Sequence, residues 1–378
     1  YKRIFGFDSA GETDSSLAEG AFISDGVFGV ALLDFKSDEA AQGKGKDFVG
    51  LHHFGIWVDD VEGTWKQVEK AGGKWIMGEP DYKHNSAYEV KFNDINGVIF
   101  DLVHNGWAGT QRRPGEAANQ TMGSRTMVAR YAERREKAAK AMAERLGAGH
   151  VPKKGQLRHI AMAGRDPWKT AEFYKQLFGF EVVGETDSSL AEGVFLSDGM
   201  FNIALLDFKT DKAAQGTGKD FVGFHHFGIW VDNVEATQKR IERAGGSWLM
   251  GEPDYRQNAQ YEVKFLDING VILDLVHNGW AGTQRRPGQA DNEVSPKRGL
   301  VDRFTERRVA AAKAMAARGV VHDPKRRGEL RHFAMSVPDP WATAEFYKGI
   351  FGFETVGETD SSLAEGVFLS DGVIGLAL

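Results

Sequence analysis

Histidine and aspartate side chains that could bind a metal ion or move a proton recur in two stretches of the sequence. LHHFGIWV begins at residue 51 and returns as FHHFGIWV at 224, while DLVHNGWAGTQRRPG begins at 101 and returns at 274. The chain has no cysteine, which excludes disulfide bonds, thiolate zinc sites and cysteine nucleophiles. A metal ion would therefore be held by His, Asp or Glu.

The elements that must position these side chains repeat as well. YKRIFGF at residue 1 returns as YKQLFGF at 174 and as YKGIFGF at 347, a spacing of 173 residues both times. A period of this length indicates an array of domains rather than a solenoid of short repeats. Because Tyr1 aligns with the middle of a predicted helix and Leu378 with the middle of a predicted strand, we interpret the sequence as a window cut from a longer array.

Composition limits the classes of protein that the array can form. The 378 residues are 42% hydrophobic and 26% charged, as in an ordinary globular protein. A net charge of −6 gives no basic surface for phosphates, so nucleic acid is not an expected partner. The sequence contains no run of about 18 apolar residues, which is the pattern that predicts a membrane span. We expect a cytoplasmic protein that binds a small molecule and forms a homo-oligomer or a longer tandem array.

One period divides into two similar halves, each read as a strand, a helix and three strands. In the first half, RHIAMA precedes a helix at 167–178, and FEVVGET, GVFLSD and FNIALLDF follow. In the second, HHFGIWV precedes a helix at 234–244 that ends at two glycines, and SWLMGE, YEVKFLD and GVILDLVH follow, the last two joined by a hairpin turn at 267–270. A further helix is predicted at about 299–318.

The repeat also predicts the domain boundaries. We expect a repeat without its first strand at 1–114, a helical linker at 115–156, a complete repeat at 157–287, a second linker at 288–329 and the first module of a truncated repeat at 330–378.

Paired βαβββ modules with His on the first strand, His on the fifth and an acid on the eighth resemble the vicinal oxygen chelate superfamily. This superfamily includes glyoxalase I, methylmalonyl-CoA epimerase, extradiol dioxygenases and bleomycin resistance proteins. The matching stretches are RHIAM, HHFGIWV and DINGVILDLVH. The resemblance implies an α+β fold in which tandem pairs of modules curl into cup-shaped mixed sheets.

Carried over by position, the resemblance implies that His159, His226 and Asp274 bind one divalent metal. Two neutral imidazoles and a carboxylate leave open positions on an octahedral ion, which suits Fe²⁺ and oxygen chemistry, although Zn²⁺, Ni²⁺, Mn²⁺ or Co²⁺ also fits. His225 and His226 are neighbours on a strand, so alternation predicts that only one enters the cup, and we choose His226.

Two partial sets of the same ligands occur elsewhere in the chain. His53 and Asp101 repeat His226 and Asp274, whereas His332 repeats His159. We expect these to be metal ligands too, and His332 could complete the partial site of a second chain by module exchange.

Three further groups bear on the reaction. The glyoxalase pattern has a ligand Glu on the fourth strand, where this sequence has Ala204, with Asp207 as the replacement if a bulge shifts the register. His277 or Tyr261 could transfer a proton, and alternation forbids Tyr261 and Glu262 from sharing a face.

The sequence supports three functions. The first is a metal-dependent, dioxygenase-like enzyme acting on a small oxygenated substrate that chelates the metal. The second is a lyase or isomerase resembling glyoxalase I or the epimerase. The third is a protein that binds a ligand in the cup without catalysis, as bleomycin resistance proteins do.

Overall fold

Two mixed β-sheets and the helices that cover them make up the fold. The computed structural model describes residues 6–14, 18–24, 29–38, 45–78, 89–107, 110, 127–147, 149–151, 155–214, 218–251, 262–284, 299–320, 329–360, 365–370 and 374–378. Those ranges hold nineteen strands and six α-helices. The predicted α+β class with paired βαβββ modules is confirmed.

The elements alternate as the repeat predicts. The helices are α1 (Val61–Lys70), α2 (Ala132–Leu146), α3 (Pro167–Phe178), α4 (Val234–Ala244), α5 (Thr305–Ala317) and α6 (Pro340–Phe351). The strands of the first half of the chain are β1 (Gly6–Asp14), β2 (Ala18–Ser24), β3 (Gly29–Phe35), β4 (Gly50–Trp57), β5 (Lys74–Met77), β6 (Val90–Asn93), β7 (Ile99–Val103), β8 (Gln156–Ala163) and β9 (Glu181–Asp187). Those of the second half are β10 (Ala191–Ser197), β11 (Asn202–Phe208), β12 (Gly223–Trp230), β13 (Ser247–Met250), β14 (Val263–Leu266), β15 (Ile272–Val276), β16 (Glu329–Ser336), β17 (Gly352–Asp360), β18 (Glu365–Ser370) and β19 (Gly375–Ala377).

The middle of the chain forms an eight-stranded sheet of two modules. Its strand order is β13-β14-β15-β12-β8-β11-β10-β9, so the first strands of the two modules lie side by side at its centre and run antiparallel. Each is flanked by the last strand of its own module, which runs parallel to it. Every residue of the central strand β8 is buried, including the polar Gln156, Arg158 and His159.

The rest of the chain forms an eleven-stranded sheet. The module of β4–β7 and α1 pairs through β4 with β16, the first strand of the last module. Strands β1–β3 repeat the sequence of β17–β19 and lie along them. Both β3 and β19 pair with β16. His332 of β16 is in register with Gly29 of β3 and with Gly375 of β19. The two strands are therefore equivalent candidates for the place that β11 occupies in the other sheet.

Local signals explain where the helices begin and end. Asp166 caps α3 by accepting a hydrogen bond from Lys169 N at 3.0 Å, and Pro167 occupies its first turn. The helix ends at Gly179, whose φ of 71° is the left-handed conformation that glycine tolerates. The bounds of α3 and α4 agree with the sequence prediction, whereas α5 begins later than predicted because a 3-10 turn at Asp302–Phe304 precedes it.

Two equivalent contacts are among those that join the two sheets. Tyr174 of α3 donates to Asp94 Oδ2 at 2.9 Å, at the turn between β6 and β7. Tyr347 of α6 donates to Asp267 Oδ2 at 2.8 Å, at the turn between β14 and β15. Each helix therefore covers its own module and also packs against a hairpin of the other sheet.

Candidate metal centre

A row of residues crosses the centre of the eight-stranded sheet. Strand register aligns His159 of β8 with Gly228 of β12, and Gly228 with Asp274 of β15. The row continues to Asn202 of β11 on one side and to Lys264 of β14 on the other. Residues in register on adjacent strands point to the same face, so these polar side chains converge around the bare backbone of Gly228.

The three predicted ligands meet on this face. His226 is two residues before Gly228 and shares its face. Its Nε2 lies 3.3 Å from His159 Nε2 and 3.1 Å from Asp274 Oδ2. One donor atom from each residue lies within 4.8 Å of the others, and all three side chains are buried.

Asn202 fixes the orientation of the His159 ring. Its Nδ2 donates to the carbonyl of Ala281 at 2.9 Å, which leaves its Oδ1 to accept a hydrogen bond from His159 Nδ1 at 2.8 Å. With the proton on Nδ1, the lone pair of His159 Nε2 faces His226. A hydrogen bond of this kind to the far ring nitrogen is typical of metal-binding histidines. The sequence analysis did not single out Asn202, although its register beside His159 follows from pairing β11 with β8.

Both imidazoles are held neutral. Burial lowers the pKa of His159 below its ordinary value. Burial, together with the positive charge of Lys264, lowers the pKa of His226 well below its ordinary value. Neutral imidazole is the form that binds a metal ion.

The expectation that His225 and His226 face opposite sides of the sheet is wrong. The pairing of β12 with β8 shifts between Phe224 and His226, so His225 is the extra residue of a β-bulge. A bulge changes the direction of a side chain that regular alternation would place on the opposite face. The two Nδ1 atoms lie 2.6 Å apart, and burial lowers the pKa of His225 to about 2.

A lysine and a glutamate complete the polar cluster. Lys264 Nζ lies 2.5 Å from Asp274 Oδ2, 3.3 Å from Glu262 Oε2 and 3.5 Å from His226 Nε2. Burial opposes a charge on Lys264, but Asp274 and Glu262 outweigh it and raise its pKa. The sequence analysis weighed Glu262 and overlooked Lys264. The signal was present, because the two lie two residues apart next to β15 and both recur in the other copy as Glu89 and Lys91.

A tryptophan ring packs against both parts of the cluster. The Trp280 indole stacks on the His159 ring with centroids 5.0 Å apart and planes 3° apart, and its Nε1 donates to Glu262 Oε1 at 2.7 Å. The glycine at 228 makes room for it, since a Cβ there would lie 2.3 Å from the indole. Gly228 and Trp280 therefore position the cluster together.

The donor set fits a divalent ion. Two ligands of such an ion at about 2.1 Å, set at about a right angle, are about 3 Å apart, which agrees with the two separations at His226 Nε2. Asp274 Oδ1 is buried and makes no hydrogen bond, so the carboxylate has a free lone pair. His159, His226 and Asp274 could therefore hold the ion, and Lys264 is the competing cation at Asp274.

A second centre lies in the eleven-stranded sheet, where the donor atoms within 4.8 Å of one another belong to His53, Glu89 and Asp101. His53 Nε2 lies 3.2 Å from Asp101 Oδ2, and the rings of His53 and His332 have centroids 5.5 Å apart. Trp107 stacks on His332 at 5.2 Å, and Lys91 Nζ lies 2.6 Å from Asp101 Oδ2. The structure thus brings His332 to His53 within one chain, so this centre does not require exchange with a second chain.

The sequence analysis also named His277, Tyr261, Ala204 and Asp207. His277 follows β15, and its carbonyl accepts a hydrogen bond from Trp230 Nε1 at 2.7 Å. Tyr261 lies outside the described residues. Ala204 lines the cavity over the cluster, as do Leu206 and Phe208, which places Asp207 on the opposite face of β11 and rules it out as the fourth ligand.

The cavity over the cluster has a volume of about 450 Å³. Among its described lining residues, His226, Glu262 and Lys264 form a polar end. The walls are largely apolar, with the larger side chains from Phe195, Leu206, Phe208, Leu249 and Met250. The cavity can hold a small molecule that has an apolar body and a polar end.

Comparisons with known proteins agree with this architecture. The model of the Glyoxalase/Bleomycin resistance protein/Dioxygenase superfamily matches residues 1–102 and 156–275, more than half of the chain. No curated protein matches the sequence at a significant level. Among the described residues, no helix is long and apolar enough to cross a membrane.

The chain is similar to parts of several solved structures. A 2,2',3-trihydroxybiphenyl 1,2-dioxygenase from Sphingomonas wittichii is 17% identical, with 67% of this chain and 75% of that chain covered and a TM-score of 0.38. A Mn(II)-bound glyoxalase from Novosphingobium aromaticivorans is 15% identical, with 80% and 81% covered and a TM-score of 0.43. A methylmalonyl-CoA epimerase from Streptomyces coelicolor is 28% identical, with 32% and 96% covered and a TM-score of 0.28. On the strength of the family match, the chain belongs to the Glyoxalase/Bleomycin resistance protein/Dioxygenase superfamily.

Proposed function

We propose that the protein is a metal-dependent enzyme that acts on a small oxygenated molecule, with dioxygenase-like chemistry favoured. The observation that carries the proposal is the convergence of His159, His226 and Asp274 within 4.8 Å. Two histidines and one carboxylate that leave open positions are typical of non-haem Fe²⁺ oxygenases. When bound, the ion would supply Lewis acidity and a place for two substrate oxygens.

Residues of the chain supply the other requirements. The apolar walls around Phe195 and Leu206 would bind the body of the substrate and exclude water from the reacting end. Asn202 and Trp280 would keep the His159 ring in one orientation. Glu262 and Lys264, at the polar end of the cavity, are placed to accept or donate a proton at a substrate oxygen.

A lyase or isomerase resembling glyoxalase I is the second candidate. Ala204 removes the carboxylate of the fourth strand, which counts against it. Glu262 favours it, because a carboxylate at the polar end of the cavity could take over the proton transfer. The metal that the protein retains separates the two candidates.

The test is the metal content of protein purified without oxygen. We expect about two equivalents in the wild type and about one in Asp274→Ala and in Asp101→Ala, because each substitution removes a ligand of one centre. Asp302→Ala, on an exposed residue, is the matched control.

The identity of the metal decides the reaction class. Iron, with oxygen uptake on catechol-like compounds, would support the dioxygenase reading. Zinc, nickel or manganese would move the proposal to the lyase or isomerase. No metal in the wild type, even after incubation with each of these ions, would overturn the catalytic proposal and leave a ligand-binding cup.

A further inference from the structure

The Lys264 ammonium and a metal ion would compete for the same carboxylate oxygen. Nζ lies 2.5 Å from Asp274 Oδ2 and 3.5 Å from His226 Nε2, and both of these atoms belong to the donor set. An ion at about 2.1 Å from Oδ2 would lie less than about 5 Å from Nζ if the lysine did not move. Two cations at that distance repel each other strongly in a buried site.

Glu262 offers the ammonium a second place. Its Oε2 is already 3.3 Å from Nζ, and its Oε1 is anchored by Trp280 Nε1 at 2.7 Å. Only a small rotation of the flexible lysine side chain would be needed to exchange one carboxylate for the other. The Lys264 side chain is 14% exposed and lines the cavity, so after this movement the ammonium would still face a bound molecule.

We infer that Lys264 is a movable ammonium that neutralises Asp274 when no ion is bound, transfers to Glu262 when an ion binds, and there contacts an anionic oxygen of the substrate. The inference rests on the proposed function and specifies its substrate class. At the polar end of the cavity, a divalent ion and the Lys264 ammonium would face two carboxylates, which leaves one positive charge in excess, and the exposed Lys212 in the lining adds to it. The site would therefore bind a monoanion such as a phenolate, an enolate or a carboxylate beside a second oxygen.

The second centre repeats the contacts of the lysine with two carboxylates, although there Glu89 itself has a donor atom within 4.8 Å of those of His53 and Asp101. Lys91 Nζ lies 2.6 Å from Asp101 Oδ2 and 2.9 Å from Glu89 Oε2, and Trp107 Nε1 donates to Glu89 Oε1 at 2.6 Å. Both centres must therefore be changed together in a test.

The first measurement is calorimetric titration of the metal-free protein with Mn²⁺. Lys91→Met/Lys264→Met should bind Mn²⁺ about ten- to hundredfold more tightly than the wild type, because a competing unit charge has been removed. Glu89→Gln/Glu262→Gln should bind it more weakly, since the ammonium loses its second carboxylate. Lys66→Met/Lys239→Met removes the same charge from equivalent exposed positions and should leave the affinity unchanged.

The second measurement uses acetohydroxamate, a monoanion with two adjacent oxygens, on the Mn²⁺-loaded proteins. The methionine variant should bind this probe about tenfold more weakly although it binds Mn²⁺ more tightly. A general loosening of the site would weaken binding of both Mn²⁺ and acetohydroxamate, so it would not produce these opposite changes. Thermal unfolding checks that the variants remain folded.

The remaining outcomes separate the two proposals. Wild-type Mn²⁺ binding that does not change in the lysine variant would overturn the movable ammonium and leave the proposed function standing. No binding in the wild type but binding in the lysine variant would support the competition and overturn the metal-dependent function. No binding in either protein would overturn both.

Discussion

The two centres have equivalent residues in sequence, but the donor atoms that lie within 4.8 Å of one another come from His159, His226 and Asp274 in the first and from His53, Glu89 and Asp101 in the second. They also differ in one neighbour. In the eight-stranded sheet, Asn202 accepts a hydrogen bond from His159 Nδ1. At the equivalent positions beside His332 the chain has Gly29 and Gly375, neither of which has a side chain to offer. The first centre therefore has an asparagine beside its first-strand histidine, while the second has glycine at both equivalent positions. The comparison shows that the ligand positions can recur without the same neighbour.

The centres also differ in how the chain brings their halves together. His159 and His226 come from consecutive modules, whereas His53 and His332 come from modules with the whole eight-stranded sheet between them in sequence. The entropic cost of closing a loop rises only slowly with its length. A remote partner module is thus compatible with bringing the two histidine rings about equally close, at 5.3 Å and 5.5 Å.

The largest expected effect comes from removing one first-strand histidine at a time. His159→Ala and His332→Ala should each weaken binding of one metal ion by more than about a hundredfold, since each removes a ligand outright. Competition with a fluorescent chelator measures both affinities. If His332→Ala left two equivalents bound with unchanged affinity, His332 would not be a ligand of the second centre and the comparison would fail.

Much of the fold follows from the sequence for a definite reason. Strand and helix periodicity, the Asp166-Pro167 start and the paired glycines after α4 are local signals, and α3 and α4 have the predicted bounds. The predicted ligands on β8, β12 and β15 come together because strand pairing sets their register.

The missed residues depend on features that local patterns do not contain. The bulge at His225 becomes visible only when β12 is paired with β8, so regular alternation gave the wrong face. Lys264 was overlooked because a lysine on a short edge-side strand ordinarily faces solvent. The two carboxylates around Lys264 make its burial possible. One of them, Asp274, becomes a neighbour of Lys264 only when β14 pairs with β15.

A smaller effect is expected at Asn202. Asn202→Ala should weaken metal binding at the first centre by about tenfold, because the outer hydrogen bond to a ligand histidine contributes about that much. The second centre should keep its affinity, because it has glycine at both equivalent positions. Asn202→Asp keeps an acceptor for Nδ1 and is the matched control, so equal losses in both variants would show that the hydrogen bond is not the cause.

The smallest effects are expected at the two joins between the sheets. Tyr174→Phe and Tyr347→Phe each remove one hydroxyl that donates to a buried carboxyl group, which should lower the free energy of unfolding by about 1 kcal/mol. Urea unfolding measures both. The two contacts are equivalent, unlike the two centres, so the two variants should lose similar amounts of free energy of unfolding. A large difference would show that the two contacts do not stabilise the protein equally.

The stacked indoles at the two centres have an optical consequence. Trp280 and Trp107 are each 2% exposed, and their rings lie against His159 and His332. A paramagnetic ion on those histidines would sit within a few ångströms of an excited indole and quench its emission. Each centre thus carries its own fluorophore, and replacing one tryptophan at a time would reveal which centre fills first.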